Sequence, residues 1–135
     1  MKSKLLISAI AFGLASVTQA HHSGSVYDNS KTLTWTGVLT KVEWVGPHVL
    51  VHLDVKDANG KVTDWVYEGF PPAWYRHAGQ KRADMEKGLG QTVKISGAPA
   101  RSGVPLAFLR DIEFPDGSRL SQAGRGSPFG GAPPP

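Results

Sequence analysis

The stretch "HVLVHLDVK", residues 48–56, alternates apolar and other side chains more cleanly than any other part of the chain. A strand sends successive side chains to opposite faces, so Val49, Val51, Leu53 and Val55 share one face. His48, Leu50, His52 and Asp54 share the other. A helix, with its period of 3.6, cannot present this pattern. The first set is the expected core face. "DANG" (57–60) reads as a hairpin turn, because Asn59-Gly60 tolerates positive φ, and "VTDWVYE" (62–68) reads as the returning strand.

The flanking segments extend this β reading. Residues 32–45, "TLTWTGVLTKVEWV", are rich in β-branched and aromatic residues and form a strand, with Gly37 expected at a bulge or bend. Gly46-Pro47 ends that run. Pro71-Pro72 suits the first turn of a short helix over "AWYRHAG", closed by Gly79. A second helical turn is expected over 82–87, with Met85 packing inward. Strand character returns at 91–96 and 107–114. "PDG" (115–117) is a turn, after which Ser118 to Leu120 pair back. The fold class is mostly β. Three antiparallel strands, a helix and two strands match the OB-fold order, a five-stranded small barrel with one short helix between strands 3 and 4. A small open α+β sheet with the same elements is the alternative. The 135 residues suffice for one domain.

Both ends differ from this middle. Lys2 and Lys4, the apolar run Leu5 to Val17 and the small residues of Thr18-Gln19-Ala20 read as a secretory leader cleaved after Ala20. The expected organisation is a signal peptide over 1–20, an arm over 21–31, the barrel domain over 32–120 and a disordered Gly/Pro-rich tail over 121–135. The expected location is periplasmic or secreted. The apolar run is too short for a membrane span, so the cleaved protein is not expected to be integral to a membrane. The net charge of +4 includes the two leader lysines, and export argues against a nucleic-acid partner. No cysteine is present. That excludes thiolate metal sites, iron–sulfur clusters and cysteine nucleophiles, so a metal site must use His, carboxylates or backbone groups.

Cleavage after Ala20 gives His21 a free α-amine beside its imidazole. An α-amine has a pKa near 8, so a metal displaces its proton at neutral pH. Amine nitrogen and ring Nδ1 chelate one ion, and a further imidazole completes three nitrogens in a T, a histidine brace. Such tetragonal nitrogen ligation favours Cu(II). His22 is adjacent, and His48 is the better-placed third ligand in a barrel. About 33 Å of extended chain joins His22 to the first strand, enough to fold back. The plain alternative is that His21 and His22 are solvated residues of a loose arm. His48 and His52 lie about 13 Å apart along a strand and cannot share one ion.

A second cluster is expected at one barrel end. The loop after the first strand and the close of the third bring together Trp44, His48, Glu68, Phe70 and Trp74, with His77 a further candidate. Exposed aromatics among a few polar groups suit a ligand-binding face. The alternative is that Trp44 and Trp74 plug the barrel and His48 satisfies a local backbone group. No paired-carboxylate site, serine–histidine–acid set or phosphate-cradling loop is visible; an enzyme is the third reading, since a copper site with open positions could do redox chemistry but the sequence shows no substrate-binding groove.

"HHS" (21–23), "VEWVGPH" (42–48) and "EGFPPAW" (68–74) together resemble a family of small exported bacterial proteins known only as a domain of unknown function. The resemblance covers His21 to about Leu120. It implies export and a small β-barrel, and it makes an N-terminal His pair plus His48 the recurring histidines. Members usually carry Asn before Pro-His; Gly46 departs from that. The resulting expectation is an exported metal-binding protein, with copper as cofactor and His21, His22 and His48 as ligands. The alternative is a metal-free module that binds a small ligand or protein partner through its aromatic end.

Overall fold

Residues 26–122 are described by a computed structural model. The strands are β1 (Leu33–Glu43), β2 (Leu50–Lys56), β3 (Val62–Glu68), β4 (Thr92–Pro99), β5 (Leu106–Glu113) and β6 (Arg119–Ser121). Two helices, α1 (Pro72–His77) and α2 (Arg82–Glu86), lie between β3 and β4.

β1 serves two neighbours. Leu33–Val38 pairs with β4 and Val38–Glu43 with β2, both antiparallel. β2 and β3 pair from Leu50↔Glu68 to Lys56↔Val62, and Gly60 at φ 84 makes their turn. β4 runs antiparallel to β5. Closure comes from a short parallel seam, Val66↔Leu106, Tyr67↔Ala107 and Glu68↔Phe108. The result is a closed five-stranded barrel with β6 as a short flank on β5, as the OB order requires. The open-sheet alternative is excluded by the seam.

The alternating segment fills this barrel. Val49, Val51 and Leu53 are fully buried, each contributing about 1.5–3 kcal/mol by leaving water. Val55 is half-buried. Gly37 stands where β1 passes from β4 to β2, and a Cβ there would collide with the Asp54 carbonyl oxygen. The irregularity expected at Gly37 falls later, between Leu39 and Lys41. The glycine is needed for close backbone approach instead.

The helix expected after Pro71-Pro72 and the second turn expected over 82–87 are both present, as two short helices. Gly79, at φ 77, turns the chain out of α1, and the Gln80 amide donates to the Tyr75 carbonyl at 2.8 Å. α2 then restarts after Lys81, whose amide donates to Asp84 Oδ2 at 2.7 Å. Tyr75 and Met85 are both fully buried and anchor the two helices in the core.

Both ends of the described chain are packed. Tyr27 bridges to Ala100, the Asp28 amide donates to Pro99 O at 2.8 Å, and the Arg101 amide donates to Val26 O at 2.9 Å. Tyr27 joins Ala98 and Phe108 in a small apolar cluster separate from the barrel core. Phe108 lies between Ala107 and Leu109, which belong to that core, so the cluster is on the outer wall. Ser121 ends β6 and Gln122 is buried, so packed chain reaches two residues past 120. The expected leader, His21, His22 and residues 123–135 lie outside the described residues. Among the described residues no helix is long and apolar enough to cross a membrane.

Candidate functional site

The β2–β3 ladder continues one step past its strands. The Gly69 amide donates to Val49 O at 2.7 Å and the Val49 amide to Phe70 O at 3.1 Å. This sets His48 beside Glu68 and Gly69. Gly69 has no room for a side chain, because a Cβ would collide with the Tyr75 hydroxyl. His48 Nδ1 lies 2.9 Å from Gly69 O. A carbonyl oxygen only accepts, so Nδ1 carries a hydrogen, and in the neutral ring the lone pair is on Nε2. Nε2 has no hydrogen-bond partner among the described residues, and the side chain is 35% exposed.

Glu68 lies beside this ring. Its Oε1 is 3.5 Å from His48 Nδ1, and its Oε2 accepts a hydrogen bond from the Tyr27 hydroxyl. Glu68 is buried, so that donor offsets much of the cost of removing a carboxylate from water. Burial pushes the Tyr27 phenol far above its ordinary range, and the Glu68 hydrogen bond and charge push the same way. Tyr27 therefore stays protonated and donating. The Gly69 carbonyl thus orients the ring, with the Glu68 carboxylate close by.

A chain of rings flanks the pair. Trp44 packs on Tyr75 with centroids 5.2 Å apart, Tyr75 on Trp74 at 5.2 Å, Trp74 on Phe70 at 4.5 Å and Phe70 on Phe108 at 5.3 Å. Tyr27 closes the series against Phe108 at 5.6 Å. Offset and edge contacts of this kind add about 0.5–1.5 kcal/mol each beyond area. Gln122 binds the end together. Its Oε1 accepts from the Tyr75 hydroxyl and the Phe70 amide, and its Nε2 donates to Leu109 O.

Trp44, His48, Glu68, Phe70 and Trp74 thus gather at one end, as their sequence positions suggest. Trp44, Phe70 and Trp74 are each half-buried and pack against the core. His77 is exposed at the last turn of α1. His21 and His22 lie outside the described residues. Sequence reasoning gave no role to Tyr27 in this end, nor to Gln122. Their partners are 41 and 47 residues away, beyond any periodic signal.

His52 forms a separate group on the outer face. Its Nδ1 is 3.0 Å from Asp64 Oδ2 and its Nε2 is 3.0 Å from Glu43 Oε1. One residue from each of β1, β2 and β3 is involved. The carboxylates sit on opposite ring nitrogens and do not converge on a common point. Among the described residues, no three His, Asp or Glu side chains are placed to hold a metal ion. The described part of the candidate site offers one available imidazole nitrogen.

A search of curated proteins found no match, and a search of solved structures found none either. The sequence model of a family of unknown function (DUF6152) matches residues 10–107, and the chain belongs to that family.

Proposed function

We propose that this is an exported metal-binding protein that takes Cu(II) through the α-amine and imidazole of a mature His21, with His48 Nε2 as the third nitrogen and His22 as an alternative donor. The observation that carries the reading is His48 itself: Nδ1 held by Gly69 O, Nε2 unengaged among the described residues, and the ring partly exposed. A second observation supports it. The arm is fixed at Val26 and Tyr27, and Tyr27 touches the carboxylate beside His48. Five residues join His21 to Val26, about 17 Å of extended chain, so covalent reach permits the meeting. Copper suits the donor set, because it contains nitrogen ligands without thiolates and sits highest in the divalent affinity order.

The test is mass spectrometry of the exported protein with and without Cu(II), followed by titration against a competing chelator. The expected result is a chain beginning at His21, one Cu(II) per chain and a nitrogen-only spin-resonance spectrum. An acetylated α-amine or His48→Ala weakens binding at least tenfold. Unchanged affinity in both variants rejects the reading.

A metal-free binding module is the second reading. The half-buried state of Trp44, Phe70 and Trp74 favours it, since each leaves part of a ring for an apolar partner. Binding that survives chelators and His21→Ala but is lost in Trp44→Ala or Trp74→Ala supports this alternative.

A further inference from the structure

β1, β3 and β5 run in one direction, since β2 is antiparallel to both β1 and β3 and the β3–β5 seam is parallel. Their first residues therefore stand at one end of the barrel, opposite the end that carries His48. Three aliphatic side chains are left in solvent there. Leu33 opens β1 at 36% exposure, Val62 opens β3 at 49%, and Val104 lies just before β5 at 50%. Behind them Trp35 and Trp65 are half-buried, with ring centroids 5.2 Å apart. A collar of exposed cations surrounds this end: Lys31 before β1, Lys56 at the close of β2, Lys61 before β3 and Arg101 in the β4–β5 loop. The nearby carboxylates are already engaged. Asp28 lies 3.1 Å from Lys31, Asp57 accepts the Asn59 and Lys61 amides, and Asp64 faces His52. Lys56, Lys61 and Arg101 form no ion pair among the described residues. We infer that this end of the barrel docks on an anionic lipid bilayer, a role separate from the His48 end and independent of the copper reading.

Charge and side-chain type select that occupant. Aliphatic side chains at the tip can enter the acyl boundary, tryptophans sit well at headgroup depth, and lysine stems reach outward to place their ammonium groups among anionic headgroups. Apolar insertion and attraction to the negative surface add together, and neither alone holds a small domain firmly. A single-stranded nucleic acid fits less well, because bases stack on aromatic faces while the outermost residues here are aliphatic. A second copy fits less well too, since a symmetric pair would bring the two cationic collars together. Docking in this way turns the His48 end toward the aqueous phase.

The experiment uses the exported chain and vesicles of phosphatidylcholine containing roughly a third phosphatidylglycerol, with pure phosphatidylcholine vesicles as the neutral control. Co-sedimentation should show binding to the anionic vesicles, at least about tenfold weaker on the neutral ones and weaker again as salt rises. The double variant Val62→Asp, Val104→Asp should bind at least about tenfold less, and Lys56→Gln and Lys61→Gln about fivefold less each. The positions are exposed, so urea midpoints should stay at the natural value. Orientation is read separately. The chain has no cysteine, so a polarity-sensitive dye can be placed at Ser102→Cys in the β4–β5 loop or at Val45→Cys on the opposite end. Anionic vesicles should shift the dye at 102 to shorter wavelength and leave the dye at 45 unchanged. A shift at 45 alone would mean that the other end docks. Binding that survives every substitution would trace to an uncleaved leader. Binding of a thymidine oligonucleotide with none to vesicles would make the face a nucleic-acid surface. Each of these three results, like no vesicle binding at all, overturns the inference, and none bears on Cu(II).

Discussion

The Tyr27 hydroxyl donates to the carboxylate of Glu68 across 41 residues of sequence, and both side chains are buried. The contact joins an N-terminal segment outside the barrel to the last residue of β3, itself part of the seam that closes the barrel. It also explains how an acidic side chain is tolerated on that wall. A buried carboxylate without a donor is far more costly than one with a donor.

Removing only the hydroxyl should expose that cost. Tyr27→Phe is expected to lower stability by about 1–3 kcal/mol, because Glu68 loses its donor while the ring packing on Phe108 remains. Adding Glu68→Met should recover part of the loss, since an apolar pair leaves nothing unsatisfied. Urea midpoints of the two single variants and the double variant measure this. Additive losses would show that the two groups are energetically independent.

Gln122 should matter more than its place near the chain end suggests. Its side chain serves the Tyr75 hydroxyl, the Phe70 amide and the Leu109 carbonyl, and its backbone amide donates to Arg110 O at 2.8 Å. Gln122→Ala orphans the buried Tyr75 hydroxyl and should cost about 2–4 kcal/mol in thermal or urea unfolding. A chain ending at Gln122 should keep the stability of the full protein. A chain ending at Ser121 should not.

The barrel was legible because its signals are local. The period-two run 48–56 and the Asn59-Gly60 turn fix β2, β3 and their register, and every interior valine from 49 to 53 is buried. Pro71, Pro72 and Gly79 mark α1 by φ preference alone. The aromatic end was legible for the same reason, since Trp44 directly follows β1 and Trp74 sits on the helix that the two prolines after β3 start. Tyr27 and Gln122 were not legible as parts of that end. Each sits alone in a polar or short segment, and its role depends on which distant strand comes alongside. His52 was readable only as an outward residue, because its two carboxylates belong to neighbouring strands.

Acid should weaken the fold through surface carboxylates. Two hydrogen bonds from Ser30 and the ammonium of Lys31 hold the Asp28 carboxyl down to about 2. Lys41 first and His52 second lower Glu43, and Ser118 lowers Asp116. A carboxyl lower in the folded chain than in the unfolded one adds stability above its ordinary range, near 4, and loses it as pH falls through the folded value. For Asp28 that window runs from about 4 to about 2. Urea midpoints should therefore fall steadily on acidification below pH 4, and Asp28→Asn should flatten the slope. A midpoint that holds or rises over that range would contradict this account.

His52 should tie β1 and β3 unequally. Its ring reaches Glu43 and Asp64 at the same 3.0 Å, but the Glu43 side chain is 30% exposed and Asp64 is 52% exposed. The more exposed partner is better hydrated and more strongly screened, so it contributes less. Glu43 is also held by Lys41 at 2.6 Å, which reduces the side-chain freedom lost on pairing. His52→Ala should cost about 0.5–1 kcal/mol in total. Double-mutant cycles with Glu43→Gln and Asp64→Asn should give the larger coupling to Glu43, and the Asp64 coupling should fade first as salt is raised. Equal couplings with equal salt dependence would mean that exposure does not set the strength of this three-strand contact.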